Sequence, residues 1–391
     1  MASYAADEPF VDSSGYTPSF DKIAELKKKL RISHAHSLPK ASWVDPELQP
    51  QNARDGVCPV LQLSLQDLRE LEEAYTIFEL SGLPLNELQA ENFPLPTLSG
   101  RISQHRTRLA TTQPYFIIRG LKPQWFDKYK NVVIFTGIAS HVGTKRALAP
   151  GDPNVLHHVT NMKPSGENQK ENYRGPANRN IALPFHTDYG SILSFYLLSK
   201  AAFGGDLYLA DIHDIIREIA SSRPDIVTTL QEPFLNINAK AEDAYDERPL
   251  LFTLPSGHMA VQASRSRLFG TACRPRPASL PPLAPQQVEA IDALHAAGQT
   301  VQKRVDMRAG DILFFNNLQM MHSRDAFFDG NEEENTTRRY LLRLILHDDR
   351  ADGSWEIPPQ LASTWDELYN HLDQEEAFAI HPELFSYKAA H

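Results

Sequence analysis

Residues 181–190 read Ile181-Ala182-Leu183-Pro184-Phe185-His186-Thr187-Asp188-Tyr189-Gly190. The first five are apolar, and the triplet that follows them precedes Tyr189-Gly190 and another apolar strand, so it sits at the lip of a buried sheet. His186 and Asp188 are two residues apart, and side chains on an extended segment alternate between faces, so both point the same way. Two ligands can then reach one metal from the lip of a sheet. A His-X-Asp triplet is weak evidence alone, because a chain with 15 histidines contains about one by chance. Context separates this one from two others. His371-Leu372-Asp373 lies in the charged stretch Trp365 to Ala379, which reads as helix, where positions two apart diverge. His347-Asp348-Asp349 closes a strand and runs into Arg350, Asp352 and Gly353, which reads as a strand end leaving the core.

On either side of this segment, strand-like runs crowd the middle of the chain: Val155 to Val159, Ile181 to His186, Ile192 to Leu198, Asp206 to Ala210, Phe234 to Asn238, Leu250 to Leu254, His258 to Gln262, Ile312 to Phe315 and Tyr340 to His347. So many short strands indicate a sandwich or jelly roll. Two helical inserts interrupt them, Asp214 across Pro224 to Leu230 and Ala284 to Val305. Ahead of them, helices are expected over Ser64 to Phe78 (with Leu65, Leu68, Leu71 and Ala74 on one face, ending at Gly82-Leu83-Pro84), Ile102 to Leu109 and Phe126 to Val142, with a strand over Tyr115 to Gly120. The expected organisation is a loosely attached segment 1–20 and one catalytic domain 21–391, with a helical extension to about 110, a jelly-roll core over about 115–350 and a C-terminal segment 351–391. Asn161 to Asn180 has little to bury and reads as a lid or binding loop.

A third metal ligand is expected from a distant strand. His322 fits, because Gly310-Asp311-Ile312-Leu313-Phe314-Phe315-Asn316-Asn317 is a turn and a hydrophobic strand that carry it inward. Two His and one carboxylate on one face form the facial triad of non-haem Fe(II) oxygenases, which leaves coordination positions open. Beyond it, Arg339 and Arg343 share a face of the apolar strand Arg338 to Leu346. Buried cations require anions. A dicarboxylate would supply two through bidentate, charge-assisted bonds, internal Asp or Glu partners being the alternative. His157-His158 reads as packing and hydrogen bonding, and Arg324 as a structural ion-pair partner.

Composition narrows the function classes. The chain has 391 residues, 41% hydrophobic and 23% charged, which is globular composition. Lys and Arg total 39 against 49 Asp and Glu, a net charge of -10 that disfavours nucleic acid or an anionic membrane as partner. A small-molecule substrate fits better. Cys58 and Cys273 are too few for a disulfide framework and suit a reducing compartment. No signal or transit pattern opens the chain and no apolar run approaches the ~18 residues of a membrane span, so a cytoplasmic location is expected. Asn335-Thr336-Thr337 reads only as a polar loop. Oligomeric state is not legible. Glycine motifs for nucleotide binding and the Gly-X-Ser-X-Gly elbow are missing from the sequence.

The ordered set His186-Thr187-Asp188, Gly204-Gly205-Asp206, Gly310 to Asn317, His322-Ser323-Arg324 and Arg339 with Arg343 resembles the taurine dioxygenase and clavaminate synthase-like (TauD/TfdA) family. These are Fe(II)- and 2-oxoglutarate-dependent oxygenases, and the likeness, from about Asn92 to Pro358, is closest to fungal members. It implies a mainly β fold with flanking helices, the double-stranded β-helix (jelly roll, cupin-like), with His186, Asp188 and His322 as iron ligands. It implies Arg339 on the distal carboxylate of 2-oxoglutarate and Arg343 on the carboxylate beside the keto group. Dioxygen and 2-oxoglutarate would be consumed, succinate and CO2 released, and a C–H bond of a small metabolite oxidised: hydroxylation by default, desaturation or ring closure otherwise. The substrate would be an amino acid or a specialised-metabolite intermediate, in secondary metabolism. One position departs. Family members often carry Thr or Ser after the Gly-Gly-Asp turn, where Leu207 stands here, so a second donor to the distal carboxylate must come from elsewhere. The other readings are a non-oxidative cupin-like metal enzyme, which needs no Arg339 or Arg343, and a catalytically silent jelly-roll binding protein.

Overall fold

Alternation along the strands builds the central layers. In Tyr115–Arg119, Phe116 and Ile118 pack to one side while Tyr115 and Ile117 pack to the other. Ile312–Asn316 and Tyr340–His347 divide their side chains in the same way. Such strands are buried on both faces and read as continuous apolar runs. The computed structural model of the chain describes residues 59–148, 153–162, 175–237, 245–271, 274–330, 338–350, 355–370 and 375–381.

Within these residues a seven-stranded sheet and a four-stranded sheet face each other. The larger runs in the order Val60–Gln62, Tyr115–Arg119, Ile312–Asn316, Ile192–Ser199, Tyr340–His347 and Lys145–Arg146, with His157–Thr160 also on Tyr340–His347. Its pairings are antiparallel except the first. The smaller runs Lys303–Val305, Leu207–Asp211, Met320–Arg324, Leu183–His186, all antiparallel. Leu193, Phe195, Leu197, Leu207, Leu209, Met320 and Leu341 fill the space between the sheets. At ~1.5–3 kcal/mol for each fully buried large apolar side chain, this layer is a principal source of stability. The fold is the jelly roll expected from the strand spacing.

Helices cover both outer faces. Leu65–Ser81, Leu98–Leu109 and Lys128–Ser140 pack on the large sheet through Leu71, Phe78, Ile102 and Phe135. Ile212–Ala220, Pro224–Gln231 and Pro285–Val301 cover the small sheet through Ile215, Leu230 and Leu294. Ser64 caps the first helix in a reciprocal box with Asp67, and Gly82, at φ 67°, stops it.

Several expected boundaries shift for physical reasons. The stretch Asp214 to Leu230 is two helices, because Pro224 lacks an N–H and forces Arg223 out of the helical region, to φ -137° and ψ 63°. The helix expected to Val305 ends at Val301, and Lys303–Val305 pairs instead with Leu207–Leu209. Leu65, expected on the buried face, is 75% exposed. His322 does not continue the Ile312–Asn316 strand but lies on Met320–Arg324, so the chain crosses from one sheet to the other between the two. Asp348 does not leave the core: it is buried between Arg106 and Arg350, at 2.6 and 2.5 Å. The helix at the C-terminal end covers only Ala362–Tyr369, and Ala377 makes an extended bridge to Asn154. Segment 1–20, Cys58, Cys273, residues 163–174 of the expected lid, Asn335-Thr336-Thr337 and His371-Leu372-Asp373 lie outside the described residues.

Candidate active site

His186 ends the strand Leu183–His186, and His322 stands directly opposite it in the ladder. The two imidazole centroids are 4.1 Å apart. Two residues distant by sequence thus become a cross-strand pair, the closest approach that a sheet offers. Asp188 follows where the strand turns out. One ligand atom from each of His186, Asp188 and His322 lies within 4.8 Å of the others, and this is the metal-competent cluster found among the described residues.

The turn that holds Asp188 is built from two directions. Asn317, buried at the start of the crossing between sheets, donates its amide to the carbonyls of Asp188 and Gly190 at 2.7 and 2.9 Å, while the Asp188 N–H donates to its side-chain oxygen at 3.2 Å. From the other side, the Thr187 N–H donates to the Ala263 carbonyl at 2.8 Å, and the Ala263 N–H donates to the Thr187 hydroxyl at 3.0 Å.

The electrostatics favour neutral imidazoles. Burial pushes the pKa of His186 down and that of His322 well below its ordinary value. His186 Nδ1 is tied to the Pro184 carbonyl at 2.8 Å, which fixes the tautomer and leaves Nε2 with a lone pair. His322 has a buried Nδ1 without a hydrogen-bond partner, so its ring is not committed to a neighbour there. Two neutral imidazoles and a carboxylate are the donor set that suits a divalent first-row metal such as iron.

These groups lie in a pocket that also receives Leu207, Arg324, Arg339 and Arg343. Arg339 and Arg343 are both buried, and they differ in their partners. Arg343 Nη1 donates to Asp188 Oδ2 at 2.8 Å, an internal carboxylate partner, while its Nε is buried without one. Arg339 has no salt bridge among the described residues: Nε reaches the Gly205 carbonyl at 3.4 Å and Nη1 is buried without a partner. Burial lowers its pKa to about 10. Gly205 makes room for it. A Cβ on Gly205, at φ 75°, would stand 2.9 Å from Arg339 Cδ and Nε, and one on Gly204 would meet the Ala326 carbonyl oxygen at 2.2 Å.

Arg324 is not an ion-pair partner among the described residues. Its guanidinium donates to the carbonyls of Arg179 and Ile181 at 2.7 Å, and burial lowers its pKa strongly. It lies directly opposite Leu207 in the ladder, and its Nε has no partner. His158 behaves as expected of a packing residue, bonded to the Tyr340 hydroxyl at 2.7 Å and to the Ala379 carbonyl. Of the expected lid, Pro176 and Ala177 line the pocket. Sequence reasoning missed the segment Ser264-Arg265-Ser266-Arg267, which forms another wall. Its signal was present: two arginines between Val261 and Leu268 raise the same question of counter-charge as Arg339 and Arg343.

The family described as "Taurine catabolism dioxygenase TauD, TfdA family" matches residues 79–345. The chain is 34% identical over 331 residues to "Taurine hydroxylase-like protein SAT17" of Stachybotrys chartarum, covering 84% of this chain and 85% of that protein. It is 22% identical over 300 residues to "FR-33289 synthase" of Streptomyces rubellomurinus, covering 75% of this chain and 86% of that one. Asparagine oxygenase in complex with Fe(II), 2S,3S-3-hydroxyasparagine and succinate shares the fold with a TM-score of 0.55 at 14% identity, over 75% of this chain and 98% of its own. The non-heme iron oxygenase OrfP in complex with Fe and alpha-ketoglutaric acid does so with a TM-score of 0.53 at 17% identity, over 74% and 95%.

Proposed function

The chain belongs to the taurine catabolism dioxygenase TauD, TfdA family, and from that premise we propose that it oxidises a C–H bond of a small, amino-acid-like metabolite with consumption of dioxygen and 2-oxoglutarate. It is a non-haem Fe(II)/2-oxoglutarate-dependent oxygenase. His186, Asp188 and His322 would hold the iron, Arg339 the distal carboxylate of 2-oxoglutarate, and Arg343 the carboxylate beside the keto group. The observation that carries this assignment is the convergence of three ligand atoms within 4.8 Å in the pocket that also holds the unpartnered Arg339 Nη1. The amino-acid-like substrate is supported by the hydroxyasparagine and hydroxyarginine bound in solved relatives of the same fold.

Bound iron would supply the oxidative chemistry: activation of dioxygen with decarboxylation of 2-oxoglutarate to succinate and CO2. The chain supplies position. The ladder sets His186 against His322, Asn317 and Thr187 hold the turn at Asp188, and Arg343 restrains the Asp188 carboxylate. Arg339 binds and orients by a charge-assisted contact from a buried site, where it is stronger than in water. Phe195, Leu207 and Leu341 line the pocket and exclude water from the reacting centre. Asp188 fills the third ligand position, which makes hydroxylation the default reaction.

His186→Ala, Asp188→Ala and His322→Ala are each expected to lose iron on gel filtration and to abolish 2-oxoglutarate-dependent succinate release. Asp349→Ala, outside the cluster, is expected to retain both. Iron retention by all three triad variants would contradict the assignment.

A further inference from the structure

Five arginines line the pocket: Arg265, Arg267, Arg324, Arg339 and Arg343. Four are accounted for. Arg265 is paired with Asp292, both buried, at 2.9 Å. Arg343 is paired with Asp188, Arg324 is engaged by backbone carbonyls, and Arg339 is assigned above to the cosubstrate. Arg267 remains. Its guanidinium carbon lies 3.3 Å from the centroid of the Tyr189 ring, a cation–π contact that orients the group without neutralising it. Its Nη1 is buried and has no hydrogen-bond partner.

Arg267 is held rigidly and close to the metal-competent turn. It sits on the short helix Arg265–Phe269, which follows Ala263, and Ala263 is locked to Thr187 by bonds in both directions. Thr187 lies between His186 and Asp188, so two hydrogen bonds tie the Arg267 segment to the triplet. The buried Arg265–Asp292 pair anchors the first residue of that helix, and Arg276 Nη1 donates to the Leu268 carbonyl at 2.6 Å. Ser264 and Ser266, whose hydroxyls are 2.8 Å apart, line the same wall.

We infer that Arg267, with Ser264 and Ser266 beside it, is a specificity-determining subsite that binds an acidic group of the substrate, a carboxylate or sulfonate, while 2-oxoglutarate occupies Arg339. The inference rests on the Fe(II)/2-oxoglutarate reading given above and adds the charge of the substrate and the residue that selects it. A guanidinium whose Nη1 is buried without a partner is best completed by an anionic oxygen, through a charge-assisted hydrogen bond. A neutral substrate would leave the buried donor unsatisfied, which disfavours it.

The test uses the full-length enzyme under anaerobic conditions with Fe(II) and saturating 2-oxoglutarate, so that Arg339 is already occupied. The visible charge-transfer band of the iron–cosubstrate complex is followed while sodium propionate, sodium methanesulfonate or neutral propionamide is added at constant ionic strength. Both anions are expected to shift the band saturably and propionamide to leave it unchanged. In Arg267→Gln the anion affinity is expected to fall at least tenfold, ~1.4 kcal/mol, with part of it kept by Arg267→Lys. The 2-oxoglutarate affinity of Arg267→Gln, read from the same band, is expected to stay within twofold. No saturable response to the anions, an equal response to propionamide, or wild-type anion affinity in Arg267→Gln would overturn the subsite, as would a large loss of 2-oxoglutarate affinity. Absence of the band itself would remove the iron and cosubstrate reading, and the subsite with it.

Discussion

Position 207 shows how a single side chain is read from its neighbours. Leu207 is buried, lines the pocket and follows the Gly-Gly-Asp turn, where the family resemblance leads one to expect a hydroxyl. Directly opposite it, Arg324 offers an unpartnered Nε beside Arg339. A donor is thus already at hand, and Leu207→Thr is expected to leave 2-oxoglutarate affinity unchanged or weaker, since an added buried hydroxyl has its own desolvation cost and the lost methyls leave a cavity. A tenfold gain in affinity, measured by titrating the iron complex, would show that Arg324 does not substitute. The sequence made His186, Asp188, His322, Arg339 and Arg343 legible because each sits in or beside an apolar run where a polar group demands a reason. It left Arg267 unread because the five-residue helix that carries it is too short to show a period, and it misassigned Arg324 because backbone carbonyls leave no trace in composition.

Elements carry a different kind of information. Long helices and two-face-buried strands were legible from periodicity, whereas two-residue strands such as Lys145–Arg146 exist only because Tyr340–His347 offers them an edge. The helix Leu98–Leu109 adds a titration that no periodicity reports. His105 is buried on it, stacked on Phe116 with centroids 5.0 Å apart, and burial lowers its pKa to about 4. The unfolded chain takes up this proton near pH 6.5, the folded one only near 4, so the unfolded state binds more protons between those values and stability falls as pH drops from 6.5 to 4. The loss attributable to His105 approaches ~3 kcal/mol at the lower end, at about 1.4 kcal/mol per pH unit. His105→Phe is expected to flatten that part of the urea-denaturation stability profile between pH 4 and 6.5 relative to wild type. An unchanged slope would assign the acid sensitivity to other groups.

Over the whole molecule, the two sheets form the scaffold and the site occupies the place where strands of the smaller one meet the crossing from the larger. This much of the architecture was legible in the strand spacing. The crossing between Asn316 and Met320 was not, because Ile312 to Phe315 and Met320 to His322 read as one apolar path with a polar interruption. Nor was the burial of Asp348 against Arg106, 242 residues away, since only the closed fold brings the pair together. The proposed function requires that this scaffold assemble one iron site and one 2-oxoglutarate site in a common pocket. Anaerobic optical titration tests it most directly. Fe(II) with 2-oxoglutarate is expected to give a visible charge-transfer band that neither produces with the enzyme alone, that Asp188→Ala abolishes, and that Arg339→Ala shifts to at least tenfold higher 2-oxoglutarate concentration. A protein that binds Fe(II) but gives no such band with 2-oxoglutarate, or an Arg339→Ala variant that titrates as wild type, would contradict it.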